Sequence, residues 1–254
     1  MKIQNKYLAR IERLGLAGFL RYLYYKKLGS IFGDGFFLET RQVDHLLYCR
    51  KGSTDIDVFK HIYVVDEYHE IAPDPTAGLV VDCGANAGFS TVFLLNHFPS
   101  ATIVAIEADC GNFETLQRNT QSYGERCVTM KAGVWPESGG LVVIDSDVGD
   151  GREWARGVRP AREGESPDID AVSLPNILQQ FPERRISLLK IDIEGTEAML
   201  FSKGSMEWLE RVDRIVIELH GDACEKAYLN AVSEAGFKSY NKGELTFSYQ
   251  SKKQ

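Results

Sequence analysis

The sequence predicts an α/β fold: a mostly parallel sheet with helices packed on both faces. Three observations predict it. From about residue 76 onward, short and nearly continuous apolar runs alternate with helical stretches, the pattern of strands covered on each side by crossover helices. The first of those runs leads into a glycine-bearing turn, VVDCGANAGFST (residues 80–91). Finally, 254 residues with 44% hydrophobic content suit one α/β domain with an appendage better than two full domains.

Taken in order, the elements begin with a basic amphipathic helix over Met1 to Leu28. Its seven basic residues stand against a single acid, Glu12, for a local charge of +6. Tyr7, Leu8, Ile11, Leu14, Phe19, Leu20, Leu23 and Tyr24 recur mostly three and four apart, which lays one apolar stripe along the helix. The stripe is read as packing on the main domain or a second subunit, or as lying on anionic lipid. Arg21 interrupts the apolar run and no small-residue cleavage site follows, which disfavours a signal peptide. Gly29 to Asp34 reads as a turn, and Arg50 to Tyr68 as a polar loop with a short amphipathic stretch. Pro73, Pro75 and Gly78 then punctuate the chain. The expected division is an N-terminal helical extension and lead-in over 1–75 and the main domain over 76–254.

Within the main domain, strands are expected at Leu79 to Asp82, Thr102 to Glu107, Cys127 to Val134, Ile186 to Asp192 and Arg214 to Leu219. Helices are expected after Phe89 and over Asn112 to Tyr123, the latter started by Asp109 and Asn112. Such a sheet binds ligands at the carboxyl ends of its strands, so the strand tips are where function is sought.

Charge and cysteine usage exclude several classes. The net charge of −7 gives no cationic field for nucleic acid. Five cysteines (Cys49, Cys83, Cys110, Cys127, Cys224) contain no C-x-x-C pair, so neither a disulfide framework nor a zinc ribbon is readable and a reducing cytosol is the expected home. No apolar stretch reaches the roughly 18 residues of a membrane span. The expected location is cytoplasmic, with peripheral contact at the inner face of the membrane as the extension of the lipid reading.

The first strand tip departs from the dinucleotide fingerprint. With Gly84 as the first glycine of G-x-G-x-x-G, the second position falls on Asn86 and the third on Phe89, which serves a pyrophosphate poorly. Gly84 and Gly88 let a ligand approach the backbone, and Ser90 or Thr91 is read as the helix cap. Asp82 repels phosphate and suits an ammonium group. An amino acid joined to a nucleoside fits better, and S-adenosylmethionine is such a molecule. Glu107 closes the second strand where a carboxylate can take both hydroxyls of a ribose. Trp135 is read either as stacking on a purine or as packing.

Three residues of the fourth strand and its exit, Lys190, Asp192 and Glu194, are spaced by two and share a side if strand geometry persists. A lysine in an apolar strand has to be paired, and the expected partners are Asp192 and Glu218; Lys190 is read either as a catalytic residue or as part of a structural ion-pair network. His220, just past the fifth strand, is read as the general base for a hydroxyl nucleophile, with Glu194 or Asp192 as the alternative and positioning without a dedicated base as the third. Asp192, Glu194 and His220 are also oxygen and nitrogen ligands for Mg²⁺ or Mn²⁺, although a metal is not the expectation. The acidic run DSDVGDG (Asp145 to Gly151) lacks the donor-then-glycine order of a calcium loop. Asp145 to Pro167 is read as an ordinary solvated loop or as a flap in which Trp154 and Arg152, Arg156, Arg159 and Arg162 suit an anionic sugar.

With these motifs in view, the sequence resembles the FkbM family of S-adenosylmethionine-dependent methyltransferases. The resemblance rests on VVDCGANAGFST, IEAD (Ile106 to Asp109), LLKIDIEGTE (Leu188 to Glu197) and IELHG (Ile217 to Gly221), with STDIDVF (Ser53 to Phe59) and Glu67-Tyr68 as a similar lead-in. It implies a class I methyltransferase (Rossmann-like) fold with a seven-stranded sheet, strands four and five adjacent, and O-methylation, often of sugars and in glycan biosynthesis. It implies cofactor roles for Asp82, Gly84, Asn86, Gly88 and Glu107, and the neighbouring Ala85, Phe89, Ser90, Thr91, Ala108 and Asp192 are carried with them. Pro175 stands where the family has an acid. The expected acceptor is a sugar, glycan or glycan precursor, lipid-linked precursors included. The competing readings are an NAD(P)-dependent oxidoreductase, which the broken glycine fingerprint opposes, and a non-catalytic scaffold recruited through the basic helix.

Overall fold

The computed structural model describes residues 2–28, 33–145, 156–202 and 204–250. Five of its strands fall where the apolar runs put them: β3 (Leu79–Cys83), β4 (Thr102–Glu107), β5 (Cys127–Val134), β9 (Ile186–Ile191) and β10 (Arg214–Glu218). They are joined in parallel in the order β5-β4-β3-β9-β10. β12 (Leu245–Gln250), antiparallel to β10, and β11 (Phe237–Lys242), antiparallel to β12 and so parallel to the rest, extend that side, completing seven strands. The sheet is wider than those seven. Beyond β5 it continues through β8 (Ile169–Val172), β6 (Gly140–Asp145) and β7 (Arg156–Pro160), for ten strands among the described residues.

Every residue of β3 is buried, because both faces of the sheet are covered. One face packs against α3 (Phe89–His97), contributing Phe89, Phe93 and Leu94, and against the N-terminal segment. The other packs against α5 (Leu174–Gln180), α7 (Ser205–Leu209) and α8 (Asp222–Glu234) through Ile177, Trp208 and Tyr228. Pro175 lies in the first turn of α5, where Ser173 caps the helix by accepting from the Asn176 amide; a proline there loses no helical hydrogen bond.

The extension contains a hairpin that the sequence reading does not anticipate, β1 (Gly35–Thr40) and β2 (Val43–Arg50). The basic helix α1 (Lys2–Leu28) is broken at Gly15, whose φ is 73°. The carbonyl of Arg13 freed at that break accepts from the Arg41 amide at 2.9 Å and the Thr40 hydroxyl at 3.3 Å in the hairpin's turn. Leu14, Phe19 and Tyr22 enter the main core beside Leu38, Leu47 and Phe59. Leu8, Leu16, Leu20 and Leu28 stay exposed. After the hairpin, α2 (Asp55–Phe59) and a π turn (Lys60–Val65) carry the lead-in motif across the end of the sheet. Among the described residues no helix is long and apolar enough to cross a membrane. All five cysteines are free.

Candidate active site

Strand order reverses at β3, whose neighbours β4 and β9 diverge, and the crevice outside such a switch point is where open α/β sheets take ligands. The β3–α3 loop lies there. Gly84, with φ at 78°, sits so close to the next strand's exit that an added Cβ would fall 1.7 Å from the Asp192 carbonyl. Gly88, not Ser90 or Thr91, precedes α3, and no side chain caps that helix. The two hydroxyls are engaged elsewhere: each donates to Asp82 Oδ2 at 2.8 Å.

Asp82 is fully buried and lines neither of the spaces described below, so it offers no direct contact to a ligand's ammonium group. Its partner is Lys190, the residue opposite it in the β3–β9 register. The Lys190 ammonium is 3.2 Å from Asp82 Oδ1, donates to the Gly84 carbonyl at 2.7 Å, and is 3.8 Å from Asp192 Oδ2. Burial disfavours the charged lysine, but Asp82 foremost among its neighbours outweighs that and holds its pKa above the ordinary value. The expected pairing with Glu218 is replaced by this one because the register of a parallel sheet, unreadable from one strand alone, brings Asp82 alongside.

Glu107 strengthens the opposite wall. One oxygen accepts from the Asn86 amide at 2.8 Å, the other from the Asp109 amide at 2.9 Å and the Asn112 side chain at 3.4 Å. Burial raises its pKa, and those donors oppose the rise. Asp109 caps α4 (Cys110–Thr120) by accepting from the Asn112 amide, as expected. Sequence reasoning missed the support behind this wall. Arg50 bridges Asp55 at 2.7 Å and Asn112 at 2.7 Å, and Asn119 ties the Tyr48 backbone in the hairpin to the Ala87 carbonyl of the loop.

Two spaces meet at this loop. An inner cleft, narrow at about 60 Å³, is lined by Gly84, Asn86, Glu107, Ala108, Asp109, Asn112, Ala132 to Val134, Val158, Asp192 and Glu194. An outer chamber of about 420 Å³ is lined by Asp57, His61, Glu67, Tyr68, Ser90, Lys190, Glu218, His220 and Glu244. Gly84, Asn86, Asp192 and Glu194 border both. Of the expected cofactor residues, Gly84, Asn86, Glu107, Ala108 and Asp192 therefore face the inner cleft. Ser90 faces the outer chamber, while Ala85, Phe89 and Thr91 are buried as scaffold and Gly88 lies against Leu116. Trp135 packs beside Leu141, Val158 and Ile169.

His220 is the hub of the chamber floor. Its Nδ1 is 2.8 Å from Glu197 Oε1, and its Nε2 is 3.5 Å from Glu194, 3.9 Å from Glu218 and 4.0 Å from Asp192. Burial pulls the imidazole pKa down, but the Glu197 hydrogen bond and the surrounding carboxylates raise it to about 9. The rise favours the protonated imidazole and so disfavours His220, relative to Asp192, as the resting proton acceptor. Burial and the Asp192 charge push Glu194 up to about 8 and Glu218 to about 7.

The described flap arginines Arg159 and Arg162 do not meet in this chamber. Arg159 forms a fork with Glu165 at 2.7 and 2.8 Å, and neither it nor Arg162 lines either space. Val158 from β7 closes the inner cleft instead. Arg152 and Trp154 lie outside the described residues.

This strand order, with a lone antiparallel strand next to last among the seven and a crevice at the tips of β3, β4 and β9, defines a class I, Rossmann-like methyltransferase fold. The chain belongs to the FkbM methyltransferase family: the profile of the Methyltransferase FkbM domain matches residues 82–239. It is similar to Methyltransferase 1 of Beauveria bassiana (strain ARSEF 2860), 25% identical over 182 residues that cover 64% of this chain and 72% of that protein. Methyltransferase sdnD of Sordaria araneosa is 26% identical over 190 residues, covering 63% and 73% respectively. The crystal structure of methyltransferase FkbM from Methylobacillus flagellatus KT superposes with a TM-score of 0.46 at 16% identity, over 77% of this chain and 53% of that one. The chain thus spans about half the length of that structure.

Proposed function

We propose that the protein uses S-adenosylmethionine to methylate a hydroxyl of a sugar, glycan or glycan precursor. The observation that carries this reading is the junction of two spaces at Gly84, Asn86, Asp192 and Glu194. One has a strand-tip carboxylate suited to a ribose, and the other has room for an acceptor. The residues present fit the cofactor: a backbone without Cβ at Gly84 permits close approach, and Glu107 can accept from vicinal hydroxyls. When bound, the cofactor supplies an activated methyl group on a sulfonium. Its entry has to widen the narrow inner cleft.

The chain's own part is alignment and proton acceptance. A displacement at carbon requires the acceptor oxygen in line at near-attack distance, and water excluded. The acidic side chains of Asp57, Glu67, Asp192, Glu194, Glu218 and Glu244 around the chamber exchange hydrogen bonds with hydroxyls, and those that are ionised repel phosphate, so a neutral polyol suits them better than an anionic sugar. Because the Glu197 hydrogen bond favours the protonated His220 and Glu194 is itself pushed up to about 8, the hydroxyl proton passes to Asp192 in our reading, and the imidazolium steadies it. The lead-in motif contributes here, since Asp57, Glu67 and Tyr68 all line the chamber. The exposed leucines of α1 support a peripheral contact of residues 1–28 with a membrane surface or a second copy.

Two measurements test the proposal. Calorimetry should show S-adenosylhomocysteine binding and no binding of NAD(P)H. Labelled methyl donor, offered with nucleotide sugars, lipid-linked oligosaccharides and small phenols, should label a sugar. Binding of the dinucleotide instead, or label confined to phenols, would overturn it.

A further inference from the structure

The chamber floor concentrates negative charge on a single imidazole. Asp192, Glu194, Glu197 and Glu218 all reach within 4.0 Å of a His220 ring nitrogen. The neighbouring cation, Lys190, is committed to Asp82 and the Gly84 carbonyl beneath the floor. We infer that Asp192, Glu194 and His220 form a divalent-cation site of the Mg²⁺ or Mn²⁺ class, open toward the outer chamber.

Geometry is the first argument. One donor atom from each of the three residues lies within 4.8 Å of the others. The Nε2 separations of 3.5 Å to Glu194 and 4.0 Å to Asp192 are long for hydrogen bonds. Ligands held at about 2.1 Å from one ion are about 3 Å apart when cis and about 4.2 Å when trans, and those two separations fall between these values.

The second argument is the support behind the imidazole. Glu197, with its side chain fully buried, takes His220 Nδ1 at 2.8 Å, which fixes the ring and leaves Nε2 directed at the two carboxylates. Ligating histidines are oriented in this way by a carboxylate on their far nitrogen. Glu197 Oε2 is buried and has no hydrogen-bond partner among the described residues, so its negative charge is incompletely met and a cation bound through His220 would compensate it. Two carboxylates and one imidazole, with free positions facing a cavity, suit a hard or borderline divalent ion.

The third argument is location. Asp192 and Glu194 border both the inner cleft and the outer chamber, where an acceptor oxygen must meet the methyl donor. This part deepens, and rests on, the proposed methyl transfer: a cation there would take the acceptor hydroxyl as a further ligand and lower its pKa. The proton would leave to solvent or to an uncoordinated carboxylate oxygen, and the O–CH₃ bond would form as the S–CH₃ bond breaks.

The test uses the full chain stripped with EDTA. Mn²⁺ titration followed by electron paramagnetic resonance should reveal one bound ion, displaced by excess Mg²⁺. Pulsed spectra of bound Mn²⁺ should carry ¹⁴N modulation from one imidazole. His220→Gln should abolish that modulation, and Glu197→Gln should weaken binding by about 10- to 100-fold, the range for loss of an outer-shell partner. S-adenosylhomocysteine affinity, measured on the same samples, reports whether each variant is folded and tests the cofactor reading separately. Absence of a stoichiometric Mn²⁺ site at millimolar ion would overturn the inference, as would a site with no nitrogen signal or one indifferent to His220→Gln.

Discussion

Replacing Lys190 with methionine removes the ammonium while keeping most of the side chain's length and apolar bulk. Asp82, fully buried and 3.2 Å from that ammonium, is then left with only the Ser90 and Thr91 hydroxyls to stabilise its charge. Breaking one half of a buried pair costs about 3–5 kcal/mol, because the remaining charge is uncompensated. For a domain of this size, at roughly 2–4 °C per kcal/mol, the melting temperature should fall by about 6–20 °C. The double variant Asp82→Asn, Lys190→Met removes both charges and should recover a large part of that loss, since replacing an entire buried pair is often close to neutral. Scanning calorimetry on the two single variants and the double closes the cycle. The lysine also donates to the Gly84 carbonyl, so affinity for S-adenosylhomocysteine should drop in Lys190→Met and stay low in the double variant. Additive single effects, or a Lys190→Met protein melting within about 2 °C of the parent, would refute the claim that this pair anchors the loop.

Other parts of the fold give independent outcomes. Gly84→Ala forces a Cβ to within 1.7 Å of the Asp192 carbonyl at a φ of 78°; the strand exits must separate, and cofactor affinity should collapse, while Gly78→Ala, which meets open space, should leave it unchanged by calorimetry. His97 stacks on Phe93 at 3.8 Å, and burial lowers its pKa below the usual 6.5. A depressed histidine pKa means the unfolded chain binds more protons below pH 6.5, so stability falls as pH drops through that value and levels off below the folded-state pKa. His97→Gln should flatten that part of the melting profile relative to the parent. Leu16→Glu with Leu20→Glu, at sites 60% and 57% exposed, should leave melting unchanged within about 0.5 kcal/mol. The pair should abolish vesicle binding on phosphatidylserine or self-association in sedimentation velocity, and no change in either would remove α1 as a contact surface.

The legible parts of this molecule are those governed by local periodicity. β4 and β5 match their apolar runs residue for residue, and β3, β9 and β10 differ from theirs by one position at the C-terminal end, since both-face burial writes itself as an uninterrupted apolar stretch. The hairpin β1–β2 was not legible. It alternates buried and exposed positions over short spans, and its aromatics also fit a helix-rich extension. Likewise β7 broadens the sheet from within Asp145 to Pro167, a segment whose Gly and Arg content reads as loop. At the site, the sequence indicated which strand tips carry carboxylates but not their partners: Asp82 meets Lys190 through inter-strand register, and Asn119 reaches the loop across 32 residues.

That distinction also governs the chemistry. A histidine just past a strand, taken alone, has a pKa suited to proton abstraction at neutral pH. Its charge state, however, is set by groups from three separate stretches of chain: Asp192 and Glu194 after β9, Glu197 at the start of the next helix, and Glu218 at the end of β10. Glu197 is decisive because it is fully buried and close, so it stabilises the imidazolium without solvent screening. A Glu197→Gln substitution should therefore lower the His220 pKa from about 9 toward its ordinary value, readable by NMR titration of the ring protons in metal-free protein. If that pKa does not move, the carboxylates facing Nε2, not the buried dyad, hold the proton.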